Sequence, residues 1–247
     1  MNKELLNTFQ NFVSSKIIDD FSNQQARQFA VYFDLIEEWN KKFNLMSYKS
    51  GNDLIYRHFC DSLYNAKIIK EFSSNLSLTI ADLGSGSGMP AIPVKIALPQ
   101  MQITLIESIT KKCKFLEIVH QELNLSMQII NDRAESIGQI SSHRQKYDFV
   151  LSRAVSKLSP NLEIAAPLLK IGGFFIVHKT KDSANSSTEG LPAVENALKH
   201  LGLKLDRVFD YNLPEQSFDY CLLIFKKDKD TPKQFPRKAA AMQKKPL

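Results

Sequence analysis

The sequence predicts an α/β protein: a seven-stranded, mostly parallel sheet carrying an N-terminal helical extension. Two patterns predict it. Apolar residues recur at helical spacing through residues 1 to 75, whereas from Leu78 onward short apolar runs alternate with helical stretches. A glycine-rich turn, "IADLGSGSGMP" at residues 80 to 90, joins the first of those runs to the helix after it.

In the helical section, residues 24 to 47 place Phe29, Tyr32, Phe33, Ile36, Trp39 and Phe43 three and four apart with charges between them. That is an amphipathic helix seeking an apolar partner. Helices around Leu5 to Ile18 and Leu54 to Ile69 flank it. Strands are then expected at Leu78 to Leu83, Gln102 to Glu107, Met127 to Asn131, Phe149 to Ser152, Gly173 to His178, Lys204 to Asn212 and Tyr220 to Lys227. Helices at Ile92 to Ala97, Lys111 to Leu123 and Leu162 to Lys170 separate the earlier strands, which implies a parallel sheet covered on both faces. Only "LPEQSFD" lies between the last two strands, so they should form an antiparallel hairpin at one edge. Gly172 and Gly173 are expected to reverse the chain before the fifth strand, and "TKDSANSSTEG", residues 180 to 190, reads as a polar loop.

Hydrophobic residues make up 43% of the chain, but its longest apolar runs fall far short of a membrane span, which needs about 20 residues. The start, "MNKELLNTFQNF", lacks the apolar core of a secretory signal, so a cytoplasmic protein without a membrane partner is expected. Cys60, Cys113 and Cys221 are too widely spaced for a zinc site, and no metal is expected; buried thiols are. Of 32 basic and 26 acidic side chains, eight and two stand in residues 226 to 247, leaving the body with 24 of each. The expected organisation is a helical section at 1–75, a catalytic domain at 76–227 and a basic flexible tail at 228–247. Such a tail suits a polyanion, or is merely a solvated terminus.

In an open α/β sheet, ligands collect beyond the carboxyl ends of the strands. The glycine turn sits there. A dinucleotide fingerprint would need a third glycine where Met89 stands, and a phosphate loop would need Lys and Ser or Thr after its last glycine. The pattern present is acid-x-G-x-G-x-G, with Asp82, Gly84, Gly86 and Gly88. Glu107 ends the next strand, where an acid accepts hydrogen bonds from both hydroxyls of an unphosphorylated ribose. Asp132 and Glu135 follow the third strand, within reach of an adenine edge. Together these describe a site for a nucleoside without phosphate, for which S-adenosylmethionine is the common cofactor. Its sulfonium favours nearby carboxylates such as Asp82.

The segments "WNKKFNLMS", "RHFCDSL", "ADLGSGSGMPAIPVKI", "ESITKKCKFL", "NDRAES", "LSRAVSKL" and "FPRKAAA" resemble, in order and spacing, the bacterial 16S rRNA guanine-N7 methyltransferases of the RsmG type, also called the glucose-inhibited division protein B family. The resemblance spans nearly the whole chain. It implies a Rossmann-like class I S-adenosylmethionine-dependent methyltransferase fold, with 16S rRNA or the small ribosomal subunit as partner. It also implies cofactor contacts at Gly84, Met89, Ala134, Glu135 and Arg153. Met46 and Ala91 depart from the family pattern, which usually has a small hydroxyl residue and a glycine there.

Guanine N7 offers an in-plane lone pair and carries no proton, so no general base and no catalytic residue in that sense is expected. Arg153 stays protonated and is suited to holding cofactor or guanine. Arg57, His58, Lys111, Lys112 and Lys179 are the candidate RNA contacts; Arg57 and His58 have the alternative role of tethering the helical section through Asp61. A methyltransferase for another acceptor, and an RNA-binding regulator without turnover, are the rival readings.

Overall fold

A computed structural model describes residues 1–73, 77–153 and 157–247. The expected domain boundary at residue 75 and Ala154 of the "LSRAVSKL" segment lie outside the described residues.

Helices α1 (Lys3–Lys16) and α2 (Asn23–Lys42) begin at side-chain caps: Asn2 accepts from the Leu5 N–H, and Ser22 and Gln25 form a reciprocal capping box. The aromatic stripe of α2 is core. Phe29, Tyr32, Phe33 and Ile36 are at most 4% exposed, and burying each contributes about 1.5–3 kcal/mol. A short turn, α3 (Gly51–Asp53), runs into a π-helical segment, Leu54–Cys60, and then into α4 (Asp61–Ser73). The expected helix from Leu54 to Ile69 is thus present, but wound wider in its first half, as often occurs at functional sites.

The strands are β1 (Thr79–Leu83), β2 (Gln102–Ile106), β3 (Met127–Ile130), β4 (Tyr147–Ser152), β5 (Leu169–Thr180), β6 (Leu203–Tyr211) and β7 (Tyr220–Lys227). They form one sheet in the order β3-β2-β1-β4-β5-β7-β6, parallel from β3 through β5. The last two strands pair antiparallel at one edge, as expected, with β7 between β5 and the outermost strand β6. Gly172 and Gly173 lie inside β5, at a register irregularity against β4, and not ahead of the strand. A Cβ on Gly173 would stand 2.9 Å from the Asp148 carbonyl oxygen, which explains the glycine by close backbone approach.

The remaining helices are α5 (Ala91–Ala97), α6 (Thr110–Glu122), α7 (Ala134–Ile137), α8 (Leu158–Ala165), α9 (Lys181–Asn185), α10 (Glu195–Leu201) and α11 (Ala239–Lys244). On one face, Ile80, Ile103, Leu105, Phe149 and Ile176 pack with α1, α2, α4, α5 and α6. On the other, Ala81, Ile106, Val150, Phe175 and Val177 pack with α8, α10 and α11. The helical extension is therefore part of one covering layer of the sheet. Gln25 and Gln28 of α2 seal that join by donating to the carbonyls of Ile96, Ala97 and Leu123 at the ends of α5 and α6. Among the described residues no helix is long and apolar enough to cross a membrane.

The basic tail departs from expectation. Residues 228–247 fold back on the body, with Phe235 and Met242 each 2% exposed. Arg144 donates to the carbonyls of Thr231, Pro232 and Phe235, and Arg237 clasps Glu163 of α8 with bonds of 2.5 and 2.8 Å. Lys227 is fully buried in β7, where it donates to the Ala166 carbonyl at 2.6 Å and to Thr231. Burial pushes its pKa down to about 7. Part of the basic excess thus serves internal bonding.

Candidate active site

Strand order reverses between β1 and β4, and at that switch point the two strands end in register, Leu83 beside Ser152. The glycine loop leaves β1 there, and Arg153 follows β4 directly. Two of the glycines have separable reasons. Gly88 has φ of 93°, and a Cβ on it would stand 2.2 Å from Ile92 Cδ1 and 2.9 Å from the Tyr32 hydroxyl. It is required by packing against the helical layer. Gly86, with φ of 57°, would direct a Cβ into open space bounded by the Gly84 carbonyl and the Lys112 ammonium. That is the bare main chain against which a ligand can lie.

Two acids flank the loop in different states. Glu107, immediately after β2, accepts from the Gly86 N–H and the Ile109 N–H, both at 2.8 Å. Its carboxylate is fixed in orientation and keeps lone pairs for further donors. Asp82 is fully buried, and neither carboxylate oxygen has a hydrogen-bond partner. The neighbouring Ser85 hydroxyl donates to the backbone carbonyl of Asp82 at 3.1 Å. Burial, reinforced by the Glu107 charge and opposed by Ser85 and Arg153, pushes the Asp82 carboxyl up to about 7. An orphaned buried carboxylate beside an open cradle is a fitting host for a cationic ligand.

Next to it lies a second charged cluster. Arg153 Nε donates to Asp61 Oδ2 at 2.9 Å, and its Nη2 donates to the Arg57 carbonyl at 2.7 Å. Asp61 also receives the Tyr211 hydroxyl on Oδ1 at 2.5 Å and stands 3.1 Å from His178 Nδ1. Burial opposes ionisation of Asp61, yet His178 and Arg153 hold its carboxyl well below the usual range. Asn65 Nδ2 lies 2.6 Å from the other nitrogen of His178.

The remaining expected residues divide. Met89 is buried with its sulfur 3.5 Å from the Ser62 hydroxyl, so its side chain faces α4. Ala134 and Glu135 open α7; the Glu135 carboxylate is 3.9 Å from Arg133. Lys111 and Lys112 lie in the first turn of α6, and the Lys112 ammonium stands 3.9 Å from where a Cβ on Gly86 would be. Lys179 is half-buried on β5, and burial lowers its pKa. Arg57 is exposed and 3.8 Å from Asp53. His58, expected as an RNA contact, is withdrawn from the surface: it is 8% exposed, with Nε2 unpartnered. Burial, with Arg153 nearby, pushes its pKa down to about 3, so it offers no cation to a phosphate.

The profile of the GidB family, rRNA small subunit methyltransferase G, matches residues 25–201. The chain belongs to this family. It is 38% identical over 229 residues to the ribosomal RNA small subunit methyltransferase G of Lysinibacillus sphaericus, covering 92% of this chain and 93% of that one. It is 36% identical over 241 residues to the protein of the same name from Streptococcus pneumoniae, covering 97% and 98%. Among solved structures, it resembles the CurJ carbon methyltransferase with a TM-score of 0.52 and 11% identity, over 92% of this chain and 66% of that one. StiE O-MT gives 0.52 and 14%, over 69% and 75%. At that identity the likeness shows the fold, a Rossmann-like class I methyltransferase.

Within this candidate site, the sequence did not mark Tyr32, His178 and Tyr211 as neighbours of the expected residues. His178 and Tyr211 lie near the carboxyl ends of their strands, and that position was the available signal. Tyr32 was assigned to the core, correctly, but its hydroxyl reaches the Ser87 carbonyl. No local pattern announces that bond.

Proposed function

We propose that the protein transfers the methyl group of S-adenosylmethionine to N7 of a guanine in a loop of 16S ribosomal RNA. The observation that carries this reading is the family membership, and the bare main chain at Gly86, the oriented Glu107 and the unpaired Asp82 suit the cofactor.

In this reading Gly84, Gly86 and the main chain of Met89 hold the adenosyl group close to the loop, and Glu107 accepts from the ribose hydroxyls. Ala134 and Glu135 border the adenine, and Asp82 and Arg153 bind at the amino-acid end. When bound, the cofactor supplies an electrophilic methyl group on a cationic sulfur. Asp82, whose buried carboxylate has no partner, would balance that charge. The protein would need no proton acceptor, because guanine N7 carries a free lone pair and no proton. Its contribution is alignment, which is worth up to about 7–11 kcal/mol when reacting atoms are held in line. Arg57, Lys111, Lys112 and Lys179 bring RNA phosphate to the mouth of the site, and a guanine splayed from a loop is the accessible form of the acceptor.

The test is incubation of the full chain with tritiated methyl donor and unmethylated small subunits or 16S RNA, followed by mapping of the modified nucleotide. Label at a guanine N7 of 16S RNA is the expected result. Label in another RNA, or cofactor binding without transfer, would overturn the acceptor assignment.

A further inference from the structure

We infer that Tyr211 and His178, which have no described contact with the glycine loop, are positioning residues that fix Arg153 through the shared carboxylate of Asp61. The inference rests on the proposed cofactor role of Arg153 and extends it to the antiparallel edge of the sheet.

Arginine is a poor positioning group when free, because its long side chain carries about 2 kcal/mol of rotamer entropy. Here the side chain is 16% exposed at the switch point and is held at two places, on Asp61 and on the Arg57 carbonyl. Asp61 is the anchor of that hold, and it is itself held from other elements. Tyr211 of β6 occupies one carboxylate oxygen. His178 of β5 approaches the other, which Arg153 shares. Asn65 of α4 stands against the far nitrogen of His178, and the Tyr64 ring packs on Tyr211 with centroids 4.2 Å apart. One ion pair between Asp61 and Arg153 would satisfy both charges. The extra donors from two strands do something else: they remove the freedom of the carboxylate to rotate and carry the guanidinium with it.

A purely structural cluster and a positioning cluster differ in a double-mutant cycle. Affinity for adenosylhomocysteine is measured by calorimetry for wild type, Tyr211→Phe, Arg153→Ala and the double variant, with thermal midpoints recorded for each. Tyr211→Phe is expected to weaken binding about fivefold when Arg153 is present and less than twofold when it is absent, a coupling of the size seen between residues of one network. His178→Gln is carried through the same cycle and is expected to show the same pattern, so a folding defect in one variant leaves the question decidable. An equal loss in both backgrounds, or no loss with Arg153 present, overturns the inference. A wild-type chain that binds adenosylhomocysteine but does not methylate 16S RNA sinks the acceptor assignment alone, because the affinity cycle still decides the role of Tyr211.

Discussion

The hydroxyl of Tyr32 donates to the carbonyl of Ser87 across 2.5 Å, joining the second helix of the chain to the glycine loop. The same hydroxyl is what a Cβ on Gly88 would strike. Gly88→Ala should therefore damage folding and ligand binding together, with a loss of about 3 kcal/mol from overpacking and positive φ. Gly86→Ala meets no atom closer than 3.7 Å and should cost only about 1 kcal/mol, yet abolish adenosylhomocysteine binding. Urea unfolding with parallel calorimetry separates the two. Equal stability losses would contradict the division of roles.

Asp82 sets a second expectation. Its folded pKa of about 7 lies above the ordinary value of 3.8, so the folded chain holds a proton that the unfolded chain releases. The stability this gives is complete below about pH 4 and is lost as pH rises through about 7. Asp82→Asn removes that dependence and should gain on wild type by on the order of 4 kcal/mol between pH 4 and pH 8, in the absence of ligand. The cationic donor favours the ionised acid, so the affinity of wild type for S-adenosylmethionine relative to adenosylhomocysteine should rise from pH 6 to pH 8. Parallel pH profiles for Asp82→Asn and wild type would disprove it.

The tail offers a third. Removing Arg237 strands the Glu163 carboxylate, which is fully buried. Arg237→Ala should cost about 3 kcal/mol, in the range for breaking a buried ion pair. It should also expose the last residues to protease. Glu163→Gln, which keeps an acceptor, should cost less. Unchanged proteolysis of Arg237→Ala would show that Phe235 and Met242 suffice to hold the tail.

Lys233, Lys244 and Lys245 are exposed on that anchored tail. Replacing all three by Gln leaves the Arg144 and Arg237 clasps intact. The salt dependence of 16S RNA binding should flatten by about 2 in log–log slope, at roughly 0.7 per single-strand phosphate. An unchanged slope assigns these lysines to solvation alone.

The fold was legible where local periodicity reports burial. The stripe from Phe29 to Ile36 and the seven expected strands marked elements correctly, because a covering helix and a strand leave different spacings in sequence. The insertion of β7 beside β5 left no such mark, since strand order is settled by packing in space. The glycine loop and Glu107 were legible as a candidate site because their chemistry is contiguous with strand ends. Arg237 and Glu163 were not, because they meet across 74 residues. The apolar neighbours Tyr56, Phe59 and Cys60 are buried with His58, so its charge type pointed to a surface that its local sequence did not support.

The wide turns of Leu54–Cys60 have a bearing on which changes the family can tolerate. Each residue advances an α-helix by about 100°, so Asp61, Ser62 and Asn65 owe their compass bearing to the number of residues wound ahead of them. Turning that quadrant of α4 aside would part Asp61 from Arg153, Asn65 from His178 and Ser62 from Met89 at one stroke, with the glycine loop itself left as spelled.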